Sequence, residues 1–147
     1  MADENQTAEE CPECVIDLSK LKNRPRGPAS FSVLILLARG TYGRYDDGYS
    51  AIQVGNAVLA SEGDATLVLL EDGVYFALRE QDPVGIGYAN NAGFIRDFLD
   101  LGGRVVAVRS ALAARGLEPE DLFEGVEPVP LAQVARELAR HDVAVTF

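Results

Sequence analysis

Short apolar runs rich in Val, Ile and Leu alternate with helical stripes along most of this chain, and few folds accommodate that alternation. Phe31 to Ala38 is an unbroken β-rich run between Pro28 and Gly40. A strand without polar alternation is covered on both faces. Ala51, Val54, Gly55, Val58 and Leu59 then recur at i, i+3, i+4, i+7 and i+8. That spacing predicts one apolar stripe on a helix capped by Asp46 or Asp47 and ended by Gly63. Ala65 to Leu70 is a second buried strand, broken by Glu71-Asp72-Gly73, and Val74 to Leu78 reads as a short helix. Asp82-Pro83 with Gly85 and Gly87 marks a loop. Asn91 to Leu101 is a helix with Phe94, Ile95, Phe98 and Leu99 on one side, and Arg104 to Val108 is the third strand. Ser110 is placed to cap a short helix that stops at Gly116. Val126 to Val129 is a fourth strand, expected at an edge because Pro128 has no N–H to give a ladder. Leu131, Val134, Ala135, Leu138 and Ala139 mark a last amphipathic helix before a closing strand, Val143 to Phe147.

Five strands alternating with helices predict an α/β three-layer sandwich, a mostly parallel five-stranded sheet with helices on both faces. Such sheets place ligands and reactive groups beyond the carboxyl ends of their strands. Three segments should therefore share one rim: Arg39 to Gly43, Glu71 to Tyr75, and Arg109-Ser110. The candidate ligand or partner residues on it are Gly40, Thr41, Tyr42, Asp72, Gly73, Tyr75, Arg109 and Ser110.

The chain's 147 residues suffice for one domain. Residues 1–30 are polar, carry Pro12, Pro25 and Pro28, and read as an extension; residues 31–147 read as the folded domain. The formal net charge is −10. Of 23 acidic and 13 basic residues, 6 and 4 precede Phe31, which leaves 17 and 9, a net of −8, in the domain. Such acidity repels phosphate backbones, so no nucleic-acid partner is expected. No apolar run reaches the ~18 residues of a membrane helix, so no membrane partner is expected either. The first residues lack a basic segment followed by an apolar one, and the expected compartment is the cytoplasm. The four early cations, Lys20, Lys22, Arg24 and Arg26, form a basic run that either solubilises the extension or folds onto the acidic domain of a neighbour.

Chemistry-bearing residues are few. The two cysteines are Cys11 and Cys14, in Cys-Pro-Glu-Cys. Such a pair can form a redox disulfide, supply half of a metal site, or react with nothing. Tetrahedral zinc needs four ligands and the chain offers no second pair, so no metal is expected. The motif lies in a polar segment rather than between a strand and a helix, which argues against a thioredoxin-like centre. It leaves open a thiol arm that accepts sulfur. Arg39 to Gly43 joins a strand to a helix, a geometry that can hold an anion through Arg39 and Thr41, but it matches no phosphate-loop pattern. Ser110 and the single histidine, His141, lie in distant segments with no third orienting group.

Four segments carry a family resemblance. Ile35 to Gly43 (ILLARGTYG), Leu69 to Leu78 (LLEDGVYFAL), Val108 to Leu122 (VRSALAARGLEPEDL) and Glu137 to Phe147 (ELARHDVAVTF) occur in order. Together they resemble the DsrE/DsrF-like (TusBCD/YchN-like) sulfur-relay family, from about Ser32 to Phe147. The last two segments are most similar to its DsrF/TusC branch. The resemblance implies a sandwich that assembles as trimers or hexamers, from one chain or with related subunits, and that meets sulfur-carrier proteins in the cytoplasm. Active members pass sulfur as a persulfide on one cysteine, for sulfur oxidation or transfer-RNA thiolation, with no dissociable cofactor. That cysteine ends the third strand, where a helix N-terminus favours the thiolate. The corresponding residue here is Val108 or a neighbour, Arg109 or Ser110. Two functions follow as expectations. One is an accessory or noncatalytic subunit of sulfur relay, with any sulfur transfer confined to Cys11 and Cys14. The other is a small-molecule or anion-binding module that reuses the fold.

Overall fold

The computed structural model describes residues 29–40, 42, 46–88 and 90–147. Its strands are β1 (Ser32–Leu37), β2 (Asp64–Leu69), β3 (Arg104–Val108), β4 (Val126–Val129) and β5 (Val143–Thr146). They form one sheet in the order β4-β3-β2-β1-β5, with every neighbouring pair parallel. The α-helices are α1 (Asp47–Ala60), α2 (Ala92–Asp100), α3 (Arg109–Ala113) and α4 (Leu131–Arg140), and a 3-10 helix spans Glu71–Ala77.

The order dictates the layers. From β1 to β4 the chain advances one strand at a time, so right-handed crossovers set α1, α2 and α3 on one face. From β4 to β5 it returns past β1, and the same handedness puts α4 on the other face. Side chains agree with this. A Cβ added at Gly55 of α1 would lie 3.3 Å from Ile35 and 2.6 Å from Phe98 of α2. Residues of opposite parity, Thr66 and Arg104, instead meet His141 and Glu137 at the end of α4. Both faces being covered explains the unalternated apolar strands. Leu34, Ile35, Leu67, Val68, Val105 and Val106 are all 0% exposed. Each fully buried side chain of this kind contributes roughly 1.5–3 kcal/mol.

Several local expectations shift. In α1 the buried face is Gly48, Ala51, Ile52, Gly55, Asn56 and Leu59, while Val54 of the expected stripe is 36% exposed. The reason is two aromatic rings: Phe76 lies against Gly48 and Phe98 against Gly55. Asp46 is the N-cap residue of α1 but makes no side-chain capping bond. Ser61, not Gly63, is the C-cap, and Gly63 is tight because Phe31 and Val58 leave no room for a Cβ. Ser110 lies inside α3, and Val108 occupies the capping position. In α4 Val134 alone of the expected stripe is buried, joined by Glu137, while Leu131 and Leu138 remain 60% and 45% exposed. Glu137 turns inward because Arg104 meets it there at 2.7 Å.

Candidate functional site

The carboxyl ends of β1, β2 and β3 lie side by side in register. Beyond β1, the Tyr42 hydroxyl donates to Gln81 Oε1 at 2.6 Å and accepts from the Asn91 backbone N–H at 3.0 Å. Gln81 Nε2 donates to the carbonyls of Leu78 and Phe76. Tyr42 thus fastens the β1 end to the segment between the 3-10 helix and α2. Beside it lies a hollow of about 330 Å³ lined by Gly40, Tyr42, Tyr75, Gln81, Ile86 and the carboxylates Glu80 and Asp82. The Tyr88 ring stands 6.1 Å from that of Tyr42.

Beyond β2 the backbone is bent tightly. Glu71 takes a left-handed φ of 44°, a conformation that side chains other than Gly adopt at some cost. The bend brings Gly73 so close to β1 that an added Cβ would sit 2.0 Å from the Leu37 carbonyl oxygen. Asp72 points away from the hollow to Arg115, whose Nη2 and Nε donate to Oδ1 at 2.7 and 2.9 Å. Arg115 also reaches Glu71 at 3.4 Å and donates to the Ala111 carbonyl. The carboxylates, Asp72 foremost, raise the Arg115 pKa above its ordinary value.

Beyond β3, Val108 is 2% exposed. Its parity is that of Arg104 and Val106, so its side chain belongs to the α4 face, among apolar neighbours. Arg109 donates to the Pro128 carbonyl at 3.2 Å, and Ser110 is exposed one residue into α3. The expected rim therefore divides. Gly40, Tyr42 and Tyr75 converge on the hollow; Asp72 and Gly73 bind structural elements together; Arg109 and Ser110 stand beyond β3. Thr41, Cys11 and Cys14 lie outside the described residues. Sequence reasoning passes over Gln81, Glu80, Asp82 and Ile86, whose only local signal is the loop around Asp82-Pro83.

His141 sits at the other end of the sheet. Its Nδ1 is 2.7 Å from the Glu137 carbonyl and its Nε2 is 3.0 Å from Thr66 Oγ1. With Ser110 at the carboxyl edge, no Ser/His couple forms. Glu137 accepts from Arg104 and Gln133. Burial pushes its carboxyl pKa up, and those hydrogen bonds more than offset this, so the net direction is down. Glu127 is held down by hydrogen bonds from Arg104 at 2.9 and 3.1 Å. The Ser32 hydroxyl and backbone N–H, both donating to Asp142, lower that carboxyl as well. Among the described residues no group of three or more His, Cys, Asp or Glu is placed to hold a metal ion, and no helix is long and apolar enough to cross a membrane.

A parallel sheet clad by helices, with its hollow at the carboxyl edge, defines a compact α/β sandwich whose open surface is that edge. The chain belongs to the DsrE/DsrF-like family, whose model matches residues 32–147. It is 29% identical over 113 residues to an uncharacterized protein of Methanocaldococcus jannaschii, covering 77% of this chain and 96% of that one. It is 38% identical over 77 residues to the intracellular sulfur oxidation protein DsrF of Allochromatium vinosum, covering 52% of this chain and 57% of DsrF. The crystal structure of the YchN protein from E. coli superposes with a TM-score of 0.68 at 23% identity, covering 79% of this chain and 99% of that one. A protein of unknown function from Methanobacterium thermoautotrophicum gives 0.61 at 16% identity, with 80% and 99% covered. These two structures share the fold.

Proposed function

We propose that this chain is an accessory or noncatalytic subunit of a cytoplasmic persulfide relay, nearest the DsrF branch, working in complexes with itself or with related subunits. Family membership and the likeness to DsrF support the relay. The observation that carries the noncatalytic part is Val108: an apolar side chain, 2% exposed, ends β3 where the resemblance calls for a thiolate. Valine has no ionisable proton and no nucleophilic pair, so the domain itself passes no sulfur.

What chemistry the chain retains belongs to Cys14 and Cys11, in the extension of residues 1–30. A Cys14 thiolate attacks the outer sulfur of a donor persulfide. The donor's S–S bond breaks, the donor leaves as a thiolate, and Cys14 carries the sulfane sulfur as its own persulfide. Arg39 is engaged by Asp47 at 3.3 Å, and the hollow presents carboxylates. Both features disfavour the anion-binding alternative.

The test is intact mass after the reduced full chain meets a low-molecular-weight persulfide. The expected result is a gain of one sulfur in the wild type and none in Cys14→Ala. No gain on either cysteine removes sulfur transfer from the chain.

A further inference from the structure

The hollow at the carboxyl edge has a chemistry of its own. Tyr42 and Tyr75 supply ring faces, Leu78 and Ile86 an apolar wall, and Glu80 and Asp82 negative charge. Both carboxylates are exposed, and neither makes an ion pair or hydrogen bond among the described residues. Tyrosine faces and carboxylates around a hollow of about 330 Å³ suit a cationic side chain with an apolar stem, lysine or arginine.

The chain carries such a segment. Lys20, Lys22, Arg24 and Arg26 recur at every second position, with no acid between them. In an extended chain that spacing lines all four cations along one side. We infer that the hollow of one copy receives the Lys20–Arg26 run of a second copy.

Reach decides for a second copy over the same one. The described chain begins at Ala29, and Ser30 N–H donates to the Glu62 carbonyl at the amino edge of the sheet. From there to Gly40 the chain itself runs the full length of β1 and beyond, on the order of 30 Å at about 3.3 Å per residue. Arg26 and Arg24 stand three and five residues before Ala29. They extend about 10 and 17 Å at most, and Lys22 and Lys20, seven and nine residues before Ala29, about 23 and 30 Å, so only Lys20 at full stretch nears the hollow of its own chain and the run as a whole cannot occupy it. A neighbour's run has no such limit. Resting on the relay reading, the docked run also has a use: Cys14 lies six residues before Lys20, so it is held within about 20 Å of the receiving rim.

The experiment titrates a synthetic peptide of residues 18–28 into the full chain carrying Lys20→Gln, Lys22→Gln, Arg24→Gln and Arg26→Gln, which removes the competing run of every copy in solution. Calorimetry and amide chemical shifts are read together. Expected are saturable binding that weakens with added salt, shifts centred on Tyr42, Tyr75 and Asp82, and at least a tenfold loss of affinity when Glu80→Gln and Asp82→Asn are added. Absence of saturable binding, affinity unchanged by those two substitutions, or shifts centred on the amino edge would each overturn the inference. Sulfur loading of Cys14 is measured separately, so loss of docking with loading intact removes this inference alone, and the converse removes the relay reading alone.

Discussion

Two rim glycines illustrate how unlike neighbouring positions can be. Around Gly40 nothing lies within 4 Å of where a Cβ would be, whereas at Gly73 the Leu37 carbonyl oxygen is 2.0 Å away. That oxygen already accepts the Leu70 N–H at 2.9 Å, so β1 cannot yield without losing a hydrogen bond to the β2 end. Gly73→Ala is expected to cost at least about 2 kcal/mol, in the range of overpacked cores or above it. Gly40→Ala should stay within about 0.5 kcal/mol, as open surface positions do. Urea denaturation of both variants measures the contrast. Nothing in the sequence separates the two, because the distinction is set by a strand more than thirty residues upstream. The Tyr42–Gln81 bond, 39 residues apart, is hidden from sequence for the same reason.

At the scale of elements, Arg115 joins the end of α3 to the 3-10 helix. Asp72 holds two of its nitrogens, while Glu71, at 3.4 Å and with a side chain 76% exposed, holds one loosely. A double-mutant cycle should give about 1 kcal/mol of coupling for Arg115 with Asp72 and much less for Arg115 with Glu71. The elements themselves are legible in the sequence. Apolar runs mark all five strands, and Pro128 marks β4 as an edge, because these signals are local. The inward face of α4 is not legible. Its periodicity favours Leu131 and Leu138, yet Glu137 is buried by a partner, Arg104, that lies 33 residues away. The division of the expected rim is equally hidden, since it depends on where Arg115 reaches.

For the whole molecule, stability depends on pH through the carboxylates gathered at the amino edge. Glu127, Glu137 and Asp142 all have their pKa values lowered in the folded chain. A lowered carboxylate contributes stability that is fully present above its unfolded value and is lost as pH falls through the folded one. Stability should therefore hold at neutral pH and decline below about pH 4. Glu137→Gln should lower neutral-pH stability by roughly 1–3 kcal/mol, the worth of hydrogen bonds to a buried charge. It should also flatten the acid decline. Thermal unfolding of both proteins between pH 3 and 8 checks the sign; a variant with an unaltered acid limb would discount the network.

The end of β3 carries a consequence for any attempt to revive the domain. The Val108 side chain is buried in the apolar core, at 2% exposure. A cysteine written there would be shut away from donors, and its low-dielectric surroundings would keep the proton on sulfur. Regaining a sulfur shuttle by mutation thus demands that the strand end first turn outward.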